Sequence, residues 1–191
     1  MTGGTIRERV VESAIAITVQ DGWSSVTMAR IADAVGVSRQ TVYNEIGSKP
    51  DLAQAVVLDE LARVLAVVQR AFEAHPRDLR AGVRTAVRGV LEYGADDALV
   101  HAIVAGTHGA DTDLLPLLTT SSEPLLEVAV EVVAARLAAY RPGSRDVRRV
   151  ADLVVRVVLS HLMNPAASPA RTASDLAWAV DRLLPPEAPP T

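Results

Sequence analysis

The residues from Thr27 to Leu52, TMARIADAVGVSRQTVYNEIGSKPDL, constrain the fold of this chain more than any other stretch. Met28, Ile31, Ala32 and Val35 recur at i, i+3, i+4 and i+7, one face of a helix, and Thr27 is a natural N-cap for it. Gly36 follows. It takes positive φ where any Cβ would cost energy, so the chain can turn sharply there. Ser38 is placed to cap a second helix, in which Val42 and Ile46 lie four apart and pack back on the first. Arg39, Gln40, Thr41, Tyr43 and Asn44 are left for other faces. Two short amphipathic helices joined at a glycine bend make a helix-turn-helix pattern.

The residues left over on the second helix are the types that read a DNA groove. Arginine gives paired hydrogen bonds to guanine O6 and N7, glutamine and asparagine do the same to adenine N6 and N7, and a threonine methyl touches thymine. Arg39, Gln40, Thr41 and Asn44 are therefore candidate base readers. Free N–H groups at helix starts and short hydroxyls suit phosphates. Thr27, Ser38 and the phenol of Tyr43 fit that task.

Gly22, Thr27, Ile31-Ala32, Gly36-Val37-Ser38, Thr41-Val42-Tyr43, Ser48-Lys49 and Leu52 together resemble the pattern of the tetracycline-repressor (TetR) family of bacterial transcriptional regulators. The resemblance covers roughly residues 5 to 55; beyond it, length and helicity agree. It implies an all-α chain: a three-helix DNA-binding domain at the N-terminus, followed by a larger helical domain for ligand binding and dimerisation. Gln40 stands where the family often has Gly, Glu45 where it often has His, Ile46 where Phe is usual and Pro50 where Glu is usual. A carboxylate repels phosphate, so no phosphate contact is carried onto Glu45. Ile46 keeps an apolar core residue, and Pro50 is tolerated in a first helical turn.

Charge does not favour DNA in bulk. Residues 1–50 hold Arg7, Arg9, Arg30, Arg39 and Lys49 against Glu8, Glu12, Asp21, Asp33 and Glu45, a net of zero, and the rest of the chain carries the −4. Binding has to rely on a local basic patch. Lys49 is the only lysine in the chain and stands where the resemblance implies an approach to the DNA backbone. Hydrophobic residues make up 49% of the chain but aromatics only 3%, so the core must be built from Ala, Val and Leu. Charges interrupt every apolar run short of the ~18 residues of a membrane span. No signal-peptide core opens the sequence, and the absence of cysteine excludes disulfides and thiolate metal sites. A soluble cytoplasmic protein is the simplest expectation.

In chain order, Thr5-Ile6-Arg7-Glu8 reads as a capping box opening a helix to about Asp21, with Val10, Val11, Ala14, Ile15 and Ile17 to bury and Gly22 to end it. Ser48-Lys49-Pro50-Asp51 opens a long helix, 49–74, that leaves the small domain and enters the larger C-terminal part of the chain. Pro76 stops it. Beyond Arg77, breaks at Gly and Pro divide the chain into helices near 78–95, 97–108, 112–119, 121–140, 144–163 and 172–184, with a loop over 164–171 and no period-two alternation. The domains expected are 1–50 for DNA, 51–184 for ligand and dimerisation, and a proline-rich disordered tail, 185–191.

The segment Val147 to Leu162 is apolar on more than one face: Val150, Val154, Val157 and Val158 suit the core, and Val147, Ala151, Val155 and Leu162 suit a second surface. The last helix offers Leu176, Ala177, Val180, Leu183 and Leu184. The resemblance implies that these two helices form a two-fold dimer interface, and two-fold symmetry matches a palindromic operator. It also implies a pocket for a small-molecule inducer, largely apolar, whose binding moves the long helix. Candidates for its lining are Leu65, Gln69, Phe72, Arg84, Arg88, Leu91, Tyr93, His101, Ile103, Val104, His108 and Trp178. His101 and His108, seven apart on one helix face, stand about 10 Å apart along the axis, too far for one ion on a regular helix; only a break at Gly106 would bring them together, and neither a metal nor a cofactor is expected. No nucleophile elbow, phosphate-cradling glycine loop or HExxH motif is present. The competing reading is an all-helical small-molecule carrier or metal-dependent enzyme with an incidental helix-turn-helix corner. The exposed row from Arg39 to Asn44 argues against it.

Overall fold

The computed structural model describes residues 4–105 and 123–186, excepting the side chains of 102–105 and 123. Within them the chain is all-helical. The helices are α1 (Ile6–Asp21), α2 (Met28–Val35), α3 (Arg39–Ile46), α4 (Lys49–Ala74), α5 (Leu79–Asp96), α6 (Ala98–Ala105), α7 (Glu123–Tyr140), α8 (Val147–Met163) and α9 (Pro169–Leu183), with a 3-10 turn over Trp23–Ser25. The expected helix at 112–119 and the end of the tail, 187–191, lie outside the described residues.

The chain divides into two compact units, residues 1–61 with 97–123 and residues 62–96 with 124–191. In the first, α1 packs against α2, α3, α6 and the 3-10 turn. The capping box at its start is formed in both directions: the Thr5 N–H donates to Glu8 Oε2 at 2.8 Å, and the Glu8 N–H donates to Thr5 Oγ1 at 3.2 Å. Where α1, α2 and α3 pack on one another, Val10, Val11, Ala14 and Ile17 of α1, Ile31, Ala32 and Val35 of α2 and Val42 and Ile46 of α3 are buried, with hardly an aromatic ring among them. Trp23 is the exception, buried in the 3-10 turn. The first half of α4 adds Leu52, Ala53, Val56 and Val57 to the buried set.

The second unit has its own core. Val68, Ala71 and Phe72 of α4 pack with Leu79, Val83, Val87 and Leu91 of α5, Val130, Ala134 and Leu137 of α7, and buried residues of α8 and α9. Glycines let α5 approach α4 closely. A Cβ at Gly82 would stand 2.9 Å from Phe72 Cδ1, and one at Gly89 would stand 2.9 Å from Val67 Cγ1. Tyr140, the last residue of α7, closes the C-terminus of α4 by donating its hydroxyl to the carbonyls of His75 at 2.7 Å and Phe72 at 3.2 Å. Its ring meets that of Phe72 at a 5.9 Å centroid separation.

Two expectations change here. The final helix begins at Pro169 because Ser168 caps it, accepting the Arg171 N–H, and proline suits a first turn; the loop is shorter than 164–171. On α8 the core face includes Val147 and Ala151 along with Val150 and Val154, while Val157 and Val158 are only half-buried. Val147, Val150, Ala151 and Val154 are spaced i, i+3, i+4 and i+7, the regular inward stripe. Leu153, to one side of that stripe, is exposed.

Candidate nucleic-acid interface

The turn between α2 and α3 has the geometry its residues require. Gly36 sits at φ 75°, ψ 38°, and its N–H and that of Val37 both reach the Ala32 carbonyl, at 2.9 and 3.0 Å, closing the end of α2. Thr27 caps the start of α2, its Oγ1 accepting the Arg30 N–H at 3.2 Å. Ser38 caps α3, its Oγ accepting the Thr41 N–H at 3.1 Å, and the Thr41 hydroxyl lies 2.9 Å from the same atom. Both cap hydroxyls thus complete helix starts, which fixes where the free N–H groups point.

On α3, Val42 and Ile46 are buried, which turns Arg39, Gln40, Tyr43 and Asn44 to solvent; Thr41 is half-buried beside its cap. Tyr43 is 50% exposed. The Gln40 amide donates to Asn44 Oδ1 at 2.9 Å, so two of the candidate base readers are bonded to each other. The structure therefore gathers Ser38, Arg39, Gln40, Thr41, Tyr43 and Asn44 on one short helix, with Thr27 at the start of its neighbour.

Lys49 behaves differently from the others. Its Nζ donates to the Trp23 carbonyl at 3.3 Å and lies 5.4 Å from the centre of the Trp23 ring, so the lysine is half-buried over the 3-10 turn. The start of α4 beside it carries a second capping box. Asp51 Oδ2 accepts from the Ser48 N–H at 2.7 Å and from the Ser48 hydroxyl at 2.6 Å, and these bonds hold the Asp51 carboxyl below the usual carboxylate range.

Sequence reasoning missed two arginines. Arg7 of α1 donates to the Glu45 carbonyl at 2.7 Å, and Arg9 donates to the Val35 carbonyl. One helix thus caps the C-termini of both members of the corner, where cations are favoured. No local pattern announces such bonds, since their partners lie 38 and 26 residues away.

The ligand candidates do not converge in this way. Phe72 and Leu91 belong to the core of the second unit, whereas Leu65 and Tyr93 are half-buried and not part of that core. Gln69 is exposed and donates to Glu73, Arg84 is exposed, and Arg88 is exposed and paired with Glu92 at 2.7 Å. Trp178, 54% exposed, lies against Arg182 on the surface of α9. His101, in the first unit, is exposed; His108 and the side chains of Ile103 and Val104 lie outside the described residues. Among the described residues no three His, Asp or Glu side chains form a metal-binding group, and no helix is long and apolar enough to cross a membrane.

Comparison with known proteins gives this geometry a family. Residues 10–56 match the family model for bacterial regulatory proteins of the tetR family, and residues 78–182 match that of the bacterial tetracyclin repressor C-terminal domain. The HTH-type transcriptional regulator AlkX of Mycobacterium tuberculosis is 31% identical over 178 residues, covering 90% of this chain and 82% of that protein. The crystal structure of the TetR family repressor AlkX from Dietzia sp. strain DQ12-45-1b, implicated in biodegradation of n-alkanes, superposes with a TM-score of 0.76 at 29% identity, over 95% of this chain and 97% of that one. The fatty acid degradation regulator FadR of Bacillus halodurans shares the fold, with a TM-score of 0.60 at 14% identity over 94% and 96% of the two chains. With both halves matched in register and a relative aligned along most of its length, the chain belongs to the TetR family of bacterial transcriptional regulators.

Proposed function

We propose that the chain is a cytoplasmic, non-enzymatic repressor that binds a palindromic operator as a homodimer and is released by a largely apolar small molecule. The observation that carries this reading is on α3: burial of Val42 and Ile46 leaves Arg39, Gln40, Tyr43 and Asn44 as an exposed row of groove-reading side chains. Arg39, Gln40, Thr41 and Asn44 read base edges, and Thr27, Ser38 and Tyr43 lie against phosphates. Lys49 joins them by exchanging the Trp23 carbonyl for a phosphate oxygen. Residues 1–50 serve DNA and 51–184 serve ligand and partner.

Dimerisation uses α8 and α9. Leu153, Trp178 and Leu183 are large apolar side chains left exposed on these two helices, the kind of surface a second copy covers. The inducer is a long aliphatic molecule, an n-alkane or a product of its breakdown. The relative from Dietzia is implicated in n-alkane biodegradation, and the core of the second unit is built from Val, Leu and Ala, with few groups that reward a polar ligand. Release follows if the inducer binds the DNA-incompetent arrangement more tightly than the competent one.

The test is binding to the DNA flanking the chain's own gene, measured against salt and against added n-alkanes and fatty acids. A footprinted palindrome, lost steeply with salt and with one of these additives, is expected. Arg39→Ala should cost about 1–3 kcal/mol on that site and relax specificity at one base. Undiminished binding and specificity in this variant would overturn the assignment of α3.

A further inference from the structure

Gln40 and Asn44 stand one helical turn apart on α3, both exposed, with Gln40 Nε2 donating to Asn44 Oδ1 at 2.9 Å. Each side-chain amide carries one carbonyl oxygen and one NH2 group. In the bonded pair, one amide turns its nitrogen inward and the other its oxygen. The bond takes one of the two Gln40 N–H donors and one Asn44 Oδ1 lone pair; the atoms that take no part in it are Gln40 Oε1, an acceptor, and Asn44 Nδ2, a donor. Exchanging nitrogen and oxygen in both amides reverses their order but leaves the same set, one donor beside one acceptor, so the chemistry does not depend on how the amides are oriented.

We propose that Gln40 and Asn44 act as a single reading unit that selects one adenine in each operator half-site, an inference that rests on α3 being the recognition helix. Adenine presents an acceptor, N7, and a donor, the N6 amino group, on the same major-groove edge; guanine presents two acceptors, N7 and O6; cytosine presents only a donor, and thymine an acceptor beside a methyl group. A coupled donor and acceptor satisfy both adenine atoms. At guanine the amide oxygen would face N7 or O6, lone pair against lone pair. Arg39, with donors only, is the complement of guanine on the same helix, so the two base types fall to different residues. The bond also restricts both side chains before DNA arrives, which lowers the ordering cost of binding.

The experiment starts by enriching operators from a random duplex pool with the full-length chain. Each adenine of the enriched half-site is then replaced singly by 7-deazaadenine, which lacks the N7 acceptor, and by purine, which lacks the amino group. One adenine per half-site is expected at which both replacements weaken binding, roughly five- to hundred-fold. Gln40→Ala and Asn44→Ala should each abolish the preference for that adenine, and the double variant should lose no more than either single one, a coupling that independent contacts do not show. Losses at two different bases that add in the double variant would overturn the coupled unit and leave the recognition helix standing, as would guanine at the shared position. If the wild-type chain enriches no sequence, the reading of α3 itself falls. The base analogues act on the wild-type protein, so the central result does not depend on the folding of a variant.

Discussion

The corner at α2 and α3 is bounded by two glycines whose constraints differ in kind, and replacing each with alanine separates them. Gly36 lies at φ 75°, ψ 38°, and nothing stands within 4 Å of an added Cβ. Its cost is therefore the left-handed backbone alone, about 1–2 kcal/mol. The smaller entropy of an unfolded alanine returns about 0.4–1 kcal/mol, for a net near 1 kcal/mol. Gly47 lies at φ 90°, ψ −122°, outside the left-handed basin, and a Cβ there would stand 2.6 Å from Asp51 Oδ2, the acceptor that caps α4. Its backbone term alone is of order 1–3 kcal/mol, and the carboxylate must also move. At about 2–4 °C per kcal/mol for a chain of this length, Gly36→Ala should lower the unfolding midpoint by about 2–4 °C and Gly47→Ala by more than that. Trp23 is buried in the first unit, so in a Trp178→Phe background its emission follows this part of the chain as it melts. Gly36→Asn supplies the internal control, because asparagine tolerates the left-handed region better than alanine. Equal shifts for Gly36→Ala and Gly47→Ala, or an asparagine at 36 as costly as alanine, would refute this account.

The N-terminal helices and their caps were legible in the sequence because their determinants are local. Thr5, Thr27 and Ser38 bond N–H groups three residues on, Gly36 serves the turn it occupies, and the buried stripe of α2 is the i, i+3, i+4, i+7 set read from its letters. The row on α3 followed by subtraction once Val42 and Ile46 were taken as core. What stayed hidden is long-range. The reach of Arg7 and Arg9 to the ends of α3 and α2, the seat of Lys49 on Trp23, and the Tyr140 bonds to α4 join residues 26 to 68 apart, and an arginine or tyrosine on a helix face looks the same with or without such a partner. The C-terminal helices were visible as helices. Their facing was not, because Val and Ala fill one broad side of α8 and only packing decides which part of it is core: Val147 and Ala151 turn inward and Leu153 stays exposed. The ligand candidates were chosen by chemical type, and type alone does not separate an exposed Trp178 from a buried Phe72.

Two further predictions concern the ends of α4, and each carries a pH signature. At its start, bonds from the Ser48 hydroxyl and N–H lower the Asp51 pKa from 3.8, so this contribution to stability is present above pH 3.8 and is lost as pH falls through the lower folded value. Asp51→Asn should therefore narrow the gap between unfolding midpoints measured at pH 5 and pH 2; an unchanged gap would mean that the capping carboxylate does not matter. At its far end, Tyr140→Phe keeps the ring contact with Phe72 but removes the hydroxyl that serves the Phe72 and His75 carbonyls, a loss of about 1 kcal/mol or about 2–4 °C. Burial and then the nearby Asp78 raise the Tyr140 pKa above 10.0, against the opposing charge of Arg136. The neutral phenol is the form that donates, so the tyrosine's contribution is fully present below pH 10 and is lost as pH rises through the higher folded value. The wild-type chain should therefore lose stability across that window faster than Tyr140→Phe, so that two melting curves separated at pH 8 converge in alkali. Curves that already coincide at pH 8 would show that the carbonyls at the end of α4 find solvent as good a partner as Tyr140. Curves that stay parallel into alkali would show that the phenol's proton is not what holds the helix end.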